Sequence, residues 1–546
     1  MSSEASPRPP APRLLVIGAE PGDRRALDFC LGLPPPWPVT LLTPLPGEDA
    51  GAFPAAPAGG LREWRRGVEP PGVTAAALLA EAGVEGPAPL LGLALAASRN
   101  VALRRDLLRL AGEADIVLHF SAWSAEACRG HGRPEVYLPA GFLFGAALEG
   151  LRGHDLGGAC ELLWALESDL AQRAALTLSP GSPEARAFRL LYGLAALEKG
   201  GPGALAERLP ALAGAGARRP EILPVTLALN DYPLHDPRNG GAVRSQGLLA
   251  GFDRDVVALT LGARPAVVAL GPRVIEVVLP RAPAQRRLAR DLHRLADAPL
   301  DDLVAAAHAA ENPALAALLA GLGPRLDAVV FEHPYMAPLL AGLRRDAGPV
   351  PVVHHAHNVE VALKAELLAG HPLAAPALAF ARRLESALVA EADLVLCCSE
   401  ADADHFRAGG RADRVLVVPH EAIMPEDAPQ SAPPGAGAPL RVGFLASAHP
   451  PNQEAARFIA EDLAPAFPEA VFEIAGSVCA TLPAARPANL LAHGVLPPDR
   501  LRAAMAGWSV ALNPVESGGG SSVKLAEYLL LGLPSLSVHP GTDEGI

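Results

Sequence analysis

Asn513-Pro-Val-Glu-Ser-Gly-Gly-Gly-Ser-Ser-Val-Lys-Leu-Ala-Glu-Tyr-Leu-Leu-Leu-Gly-Leu-Pro534 joins an apolar run, Trp508 to Leu512, to three glycines, two serines and a lysine. A helical pattern follows, with apolar positions at Val523, Ala526 and Leu530. A glycine loop that opens a helix aims unpaired backbone N–H groups and the positive end of the helix dipole at one spot. That spot favours an anion, most obviously the phosphates of a nucleotide. Lys524 adds a mobile charge one turn in, and Glu527 lies on the same helical face, placed to accept hydrogen bonds from sugar hydroxyls. The plainer reading of the same residues is a flexible turn with a helix cap.

Working outward, strand-like runs alternate with helical ones almost throughout the 546 residues, the pattern of parallel α/β domains. Half of the chain is apolar and 19% is charged, which places it among globular proteins. A net charge of −13 argues against a broad nucleic-acid surface. The six cysteines form no C-x-x-C pair and read as reduced thiols of a cytoplasmic protein. No apolar stretch is long enough to span a bilayer, so at most a peripheral contact with the inner membrane is expected.

Residues 1–12 read as a disordered tail, 13–200 as one domain and 201–221 as a linker. A second domain occupies 222–424, a proline-rich linker 425–439, and a third domain 440–546. The first two domains echo each other. Leu166-Glu-Ser-Asp-Leu parallels Leu384-Glu-Ser-Ala-Leu, with Leu384 218 residues after Leu166. The first domain therefore reads as a diverged copy of the second. It lacks the polar signals of the second: Tyr137-Leu-Pro-Ala-Gly-Phe-Leu143 stands where the second has His354-His-Ala-His-Asn-Val-Glu360.

The second domain carries two polar groups of residues at expected strand ends, where open α/β sheets bind ligands. One follows Val225 to Leu229 and includes Gly240 and Gly241, which permit close backbone approach just before a helix. The other is His354, His355, His357, Asn358 and Glu360. In a strand His355 and His357 share a face while His354 points away, an arrangement poorly suited to a metal and better suited to a histidine that touches a sugar. The third domain opens with Gly443-Phe-Leu-Ala-Ser-Ala-His-Pro-Pro-Asn-Gln-Glu454, in which Asn452 has the chemistry of a helix N-cap. Asp253-Arg-Asp255 and Asp402-Ala-Asp404 read as solvated faces.

Together, Gly443 to Ala456, Asn513 to Pro534 and His357-Asn-Val-Glu360 resemble the retaining glycosyltransferases of the GT-B fold, specifically the large family 4. Asn230 to Gly241 resembles the glycine loop that opens their first domain. The resemblance covers roughly Ile222 to Ile546. It implies an α/β architecture: a GT-B-like pair of Rossmann-like domains, the second truncated at Ile546, preceded by a diverged Rossmann-like domain. It also implies transfer of a sugar from a nucleotide-diphosphate sugar to a glycan, lipid or protein acceptor, without a metal, in work such as cell-envelope polysaccharide synthesis.

Carried over, the resemblance makes His357 and Lys524 the catalytic residues. Gly518, Gly519, Gly520, Ser521 and Ser522 would cradle the diphosphate, with Gly240 and Gly241 approaching it from the other side. Glu516 and Glu527 would complete the donor site, Glu527 on the ribose. The family spaces two glutamates eight apart, but Gly519 stands eight before Glu527, and Glu516 is three further back. A non-catalytic nucleotide-sugar-binding protein and a nucleotide-sugar epimerase are the alternatives.

Overall fold

The computed structural model describes residues 11–19, 24–33, 37–45, 61–81, 89–139, 142–150, 157–178, 184–195, 197, 202–214, 221–235, 240–296, 300–409, 412–419, 437–448, 450–515 and 523–538. They build three sheets. The first holds β1 (Leu14–Ile17), β2 (Val39–Leu45), β3 (Leu61–Gly67), β4 (Ile116–His119), β5 (Glu135–Tyr137) and β6 (Leu176–Thr177), in the order β3-β2-β1-β4-β5-β6.

The second sheet is larger. Its strands are β7 (Val225–Asn230), β8 (Val256–Gly262), β9 (Ala266–Ala269), β10 (Val274–Pro280), β11 (Leu326–Phe331), β12 (Val352–His355), β13 (Leu394–Cys397) and β14 (Val415–Val417). Their order is β14-β13-β12-β11-β7-β8-β10-β9, and only the β9–β10 pair is antiparallel. The third sheet orders β15 (Arg441–Leu445), β16 (Val471–Ala475), β17 (Leu490–Gly494), β18 (Val510–Asn513) and β19 (Ser535–Ser537) as β17-β16-β15-β18-β19.

Each sheet starts in its middle, steps outward on one flank, then returns to the other flank of its first strand. This is the doubly wound arrangement, and it opens a crevice where the winding reverses, at β1/β4, β7/β11 and β15/β18. Helices cover both faces, so β7, β8 and β10 are buried along their whole length and read as continuous apolar runs.

The first two sheets share one core, in which Leu15, Leu107, Trp164 and Phe188 are continuous with Leu227, Leu315, Leu322 and Val329. Two contacts show how close the union is. Helix Gly157–Arg173 lays Trp164 on Gly321 of helix Pro313–Leu322, where a β-carbon would sit 2.1 Å from Trp164 Nε1. Arg325 reaches the other way, donating to the carbonyls of Leu191 (2.7 Å), Leu190 (3.2 Å) and Leu223 (3.0 Å). The first two carbonyls belong to the last turn of helix Glu184–Tyr192, where they have no partner within the helix. The third sheet has cores of its own, one around Phe444, Phe472 and Ile474 and one around Trp508 and Tyr528.

The echo between the first two domains has a structural counterpart. Glu167 accepts from the backbone N–H groups of Leu143 (3.0 Å) and Phe144 (2.8 Å), capping the helix that follows β5. Glu385 accepts from the N–H of Glu360 (2.7 Å), capping the helix that follows β12. In the first domain the space under that cap is filled by Tyr137, Phe142, Phe188 and Tyr192, a cluster of ring contacts where the second domain has its histidines.

Three local expectations need revision. The 201–221 linker contains helix Pro202–Gly214, whose Leu205, Ala206 and Leu209 pack into a core of the first sheet. Asp402 is buried beside Ser399, whose hydroxyl caps its N–H, and Asp255 pairs with Arg189 of the first domain at 3.1 Å. These two aspartates close internal contacts, whereas Asp404 is solvated and Asp253 fully exposed. Asn452 lies inside helix Pro450–Phe458, so it does not cap it.

Candidate active site

Three neighbouring strand ends of the second sheet deliver polar side chains to one place. Asn230 closes β7 and Asp231 follows it; Glu332 and His333 follow β11; His355 closes β12 and His357 lies just beyond. Glu332 is fully buried, and one of its oxygens, Oε2, accepts three hydrogen bonds. They come from the Ser245 hydroxyl (2.7 Å), His355 Nδ1 (2.7 Å) and His357 Nε2 (3.0 Å). Burial alone would raise this carboxyl, but the two histidines outweigh it and hold it well below the ordinary range.

Both imidazoles are themselves pushed below the usual histidine value, first by burial. A neutral imidazole that donates through one nitrogen presents a lone pair on the other. His355 Nε2 and His357 Nδ1 are therefore acceptors, and neither has a partner among the described residues; nor does Glu332 Oε1. The Cys398 thiol, on the His357 carbonyl at 3.1 Å, fixes the turn that carries the ring.

His333 behaves oppositely. Burial would lower it, but Glu360 outweighs that and raises it. Its Nδ1 donates to Glu360 (3.1 Å), its Nε2 shares a hydrogen bond with the Tyr232 hydroxyl (3.1 Å), and the Tyr335 hydroxyl donates to the other Glu360 oxygen at 2.6 Å.

Among the described residues Glu332, His355 and His357 alone have the spacing of a metal group, with ligand atoms within 4.8 Å of one another. Glu332 Oε2 already accepts three hydrogen bonds, and the His333 ring lies 4.3 Å from that of His357. As they stand, these side chains form one hydrogen-bonded cluster.

The third domain offers the complementary charge. Lys524 is the second residue of helix Val523–Leu530; its Nζ donates to Asn452 Oδ1 (2.9 Å) and stands 4.8 Å from the centre of the Phe444 ring. Asn452 is turned toward it by bonds from its Nδ2 to the Ser447 carbonyl (3.1 Å) and hydroxyl (3.3 Å). No carboxylate pairs with Lys524 among the described residues, and burial pulls it down from 10.5 to about 8. A cation in the first turn of a helix is also opposed by the helix dipole. Glu527, one turn on, is partly buried and raised by burial.

Of the residues singled out from the sequence, Lys524 and Glu527 share this helix. Gly240 and Gly241 are the first two residues of helix Gly240–Ala250, which carries Ser245 into the Glu332 cluster, so they and His357 belong to one assembly. The two helices, Gly240–Ala250 and Val523–Leu530, come within 8 Å of each other between Cα atoms, which brings the two halves face to face. Glu516, Gly518, Gly519, Gly520, Ser521 and Ser522 lie outside the described residues. Sequence reasoning passed over Glu332, His333, Ser245 and Phe444. The signal for the first two was present: an acid and a histidine directly after the apolar run Val329-Val330-Phe331.

Residues 239–421 match the glycosyl transferase 4-like domain family. The match spans about a third of the chain and contains Gly240, Gly241, Ser245, Glu332 and His357. A search of curated proteins returns no match. Among solved structures, the Anabaena protein HepE in complex with UDP and glucose is similar at 15% identity, over 57% of this chain and 80% of that one, with a TM-score of 0.40. The lipopolysaccharide outer core galactosyltransferase WaaB is similar at 12% identity, over 57% and 80%, with a TM-score of 0.35. An α,α-trehalose-phosphate synthase (UDP-forming) from Burkholderia vietnamiensis gives 14% identity, over 58% and 84%, with a TM-score of 0.38. No single helix among the described residues is long and apolar enough to cross a membrane.

Proposed function

We propose that the chain is a glycosyltransferase that moves a sugar from a nucleotide-diphosphate donor to an acceptor, with retention of configuration and without a metal. One observation carries the reading. Lys524 is a cation kept partly buried, against the helix dipole and with no carboxylate paired to it among the described residues, at the crevice edge of the third domain. Such a charge costs folding energy and gains its partner when a phosphate arrives. The glycosyl transferase 4-like match on the facing domain supports the sugar half of the reading.

In this reading Lys524 and the backbone of residues 518–522 neutralise the departing diphosphate, and Glu527 accepts from the ribose. Gly240 and Gly241 let backbone approach the phosphates from the second domain, and the bare Nδ1 of His357 accepts from a hydroxyl of the donor sugar. A site preset for the charge that develops as the phosphate leaves accelerates departure without reorganising at that moment. The reaction would take place in the cytoplasm, on an acceptor of the cell envelope.

The test is a thermal-shift screen of UDP-, GDP- and ADP-sugars on the wild type and on Lys524→Ala. A ligand that binds only the folded state raises its melting temperature. A shift seen in the wild type and lost in the variant is expected. No shift from any of them, or equal shifts in both proteins, would overturn the reading. Donor binding with no transfer to any acceptor or to water would leave a binding protein, and conversion of the bound sugar alone would mark an epimerase.

A further inference from the structure

The ends of β11 and β12 gather more ligand atoms than their hydrogen bonds use. The two strands run parallel with Phe331 opposite His354, so Glu332 and His355 are the next pair along. His357 returns to the same carboxylate oxygen two residues later, and helix Gly240–Ala250 brings Ser245 to it. One ligand atom from each of Glu332, His355 and His357 lies within 4.8 Å of the other two. The Ser245 hydroxyl stands 2.7 Å from Glu332 Oε2 and 3.4 Å from His357 Nε2. The strand pattern of residues 354–357 gave the two histidines no third partner; the neighbouring strand supplies it.

Hydrogen bonding leaves this cluster incomplete. Glu332 Oε1, His355 Nε2 and His357 Nδ1 are all buried and have no partner among the described residues. Unmatched polar atoms are uncommon in native interiors, and an ion or water is a usual reason for them. The chemistry of the set selects a cation, since a carboxylate and two imidazoles all offer lone pairs. Two imidazoles and one carboxylate are a set that zinc takes, its fourth place left to a hydroxyl or water. Zinc bonds of about 2.0–2.1 Å hold tetrahedral ligands about 3.3 Å apart, so the contacts at Glu332 Oε2 open by about half an ångström to admit it. Magnesium and calcium prefer shells of oxygen alone and suit the two histidines badly.

We propose that Glu332, His355 and His357 bind one zinc ion, with the Ser245 hydroxyl or a water in the fourth place. The ion ties the ends of β11 and β12 to helix Gly240–Ala250. Its role is structural: the departing diphosphate is left to Lys524, so sugar transfer itself still needs no metal. The inference holds whether or not the chain transfers a sugar. Coordination through His355 Nδ1 and His357 Nε2 moves each ring proton to the other nitrogen. A loaded His357 therefore donates from Nδ1 where the unloaded ring accepts. A sugar hydroxyl can meet either form, because it both donates and accepts.

The test uses the full chain, stripped with a chelator and dialysed, then titrated with zinc chloride by calorimetry. One zinc per chain and a raised melting temperature are expected, with magnesium chloride giving neither. His355→Gln and His357→Gln should each weaken zinc binding at least about tenfold, since disturbing even the groups around a metal's ligands costs 10–100-fold. An unchanged far-ultraviolet circular dichroism spectrum reports that each variant is folded. Cobalt(II) in the wild type needs no variant: the visible bands of a tetrahedral centre are expected, without the near-ultraviolet absorption of a cobalt–thiolate bond. A wild type that takes up no zinc overturns the inference, as does one that responds equally to magnesium. So do folded variants that bind zinc within about twofold of wild type, or a cobalt spectrum that reports cysteine ligands. Each of these outcomes leaves the glycosyl-transfer reading standing, because nucleotide-sugar binding by the stripped protein tests that separately.

Discussion

Replacing Lys524 by methionine should make the protein more stable and disable the proposed donor site. The side chain keeps its length and its contact with the Phe444 ring, but the buried charge disappears. An ordinary lysine ionises at 10.5 and this one at about 8, a difference of about 3 kcal/mol held against the charged form at neutral pH. The amine is not wholly enclosed and the Asn452 bond is lost with it, so a net gain of about 1–2 kcal/mol is expected. The sign follows from proton counting. Between pH 8 and 10.5 the unfolded chain holds a proton on this lysine that the folded chain has released, so wild-type stability rises with pH across that window. The difference between wild type and Lys524→Met should therefore be largest below pH 8 and vanish near pH 10.5. Urea unfolding of both proteins at several pH values measures it. A bound diphosphate should restore the charge, so nucleotide binding above pH 8 should take up a proton, visible by calorimetry in buffers of different ionisation enthalpy. A variant less stable than wild type at pH 7, or one that still binds the nucleotide as tightly, refutes the reasoning.

Gly321→Ala drives a β-carbon to 2.1 Å from Trp164 Nε1 and should cost about 1–3 kcal/mol by thermal unfolding, with part of the loss recovered when Trp164→Ala is added. Glu332→Gln removes the charge that Ser245, His355 and His357 all address and should destabilise by about 3 kcal/mol in urea; a change under about 0.5 kcal/mol would show the cluster to be energetically idle. Burial raises the Glu167 carboxyl to about 7 despite its four donors, so the folded state binds its proton more tightly than the unfolded one. Wild-type stability should fall by about 3 kcal/mol as the pH rises from 4.5 to 7, and a pH-stability curve of Glu167→Gln should lack that fall.

The α/β plan was legible because buried parallel strands write themselves as short, mostly apolar runs, Val225 to Leu229 or Val256 to Leu261, separated by helical periods. The Leu166/Leu384 echo was legible for the same reason: a glutamate that caps the preceding helix recurs in both domains. The partnership of Glu332 with His355 and His357 was not. It joins strands distant in sequence through side chains that each look ordinary alone, and only the sheet order places them together. Asn452 misled in the same way, because an asparagine near a helix start has the same letters whether it caps the helix or turns back to hold Lys524. Helix Pro202–Gly214 was hidden by flanking glycines and prolines that suggest a linker until Leu205 and Leu209 are seen to be buried.

The core that runs unbroken from Leu15 to Val329 has a mechanical consequence. Two layers locked by Trp164 against Gly321 and by Arg325 across three carbonyls cannot slide past each other without tearing that packing. The first two sheets are thus one anvil, and a spectroscopic ruler from the first domain to the second should read the same length with and without a nucleotide sugar.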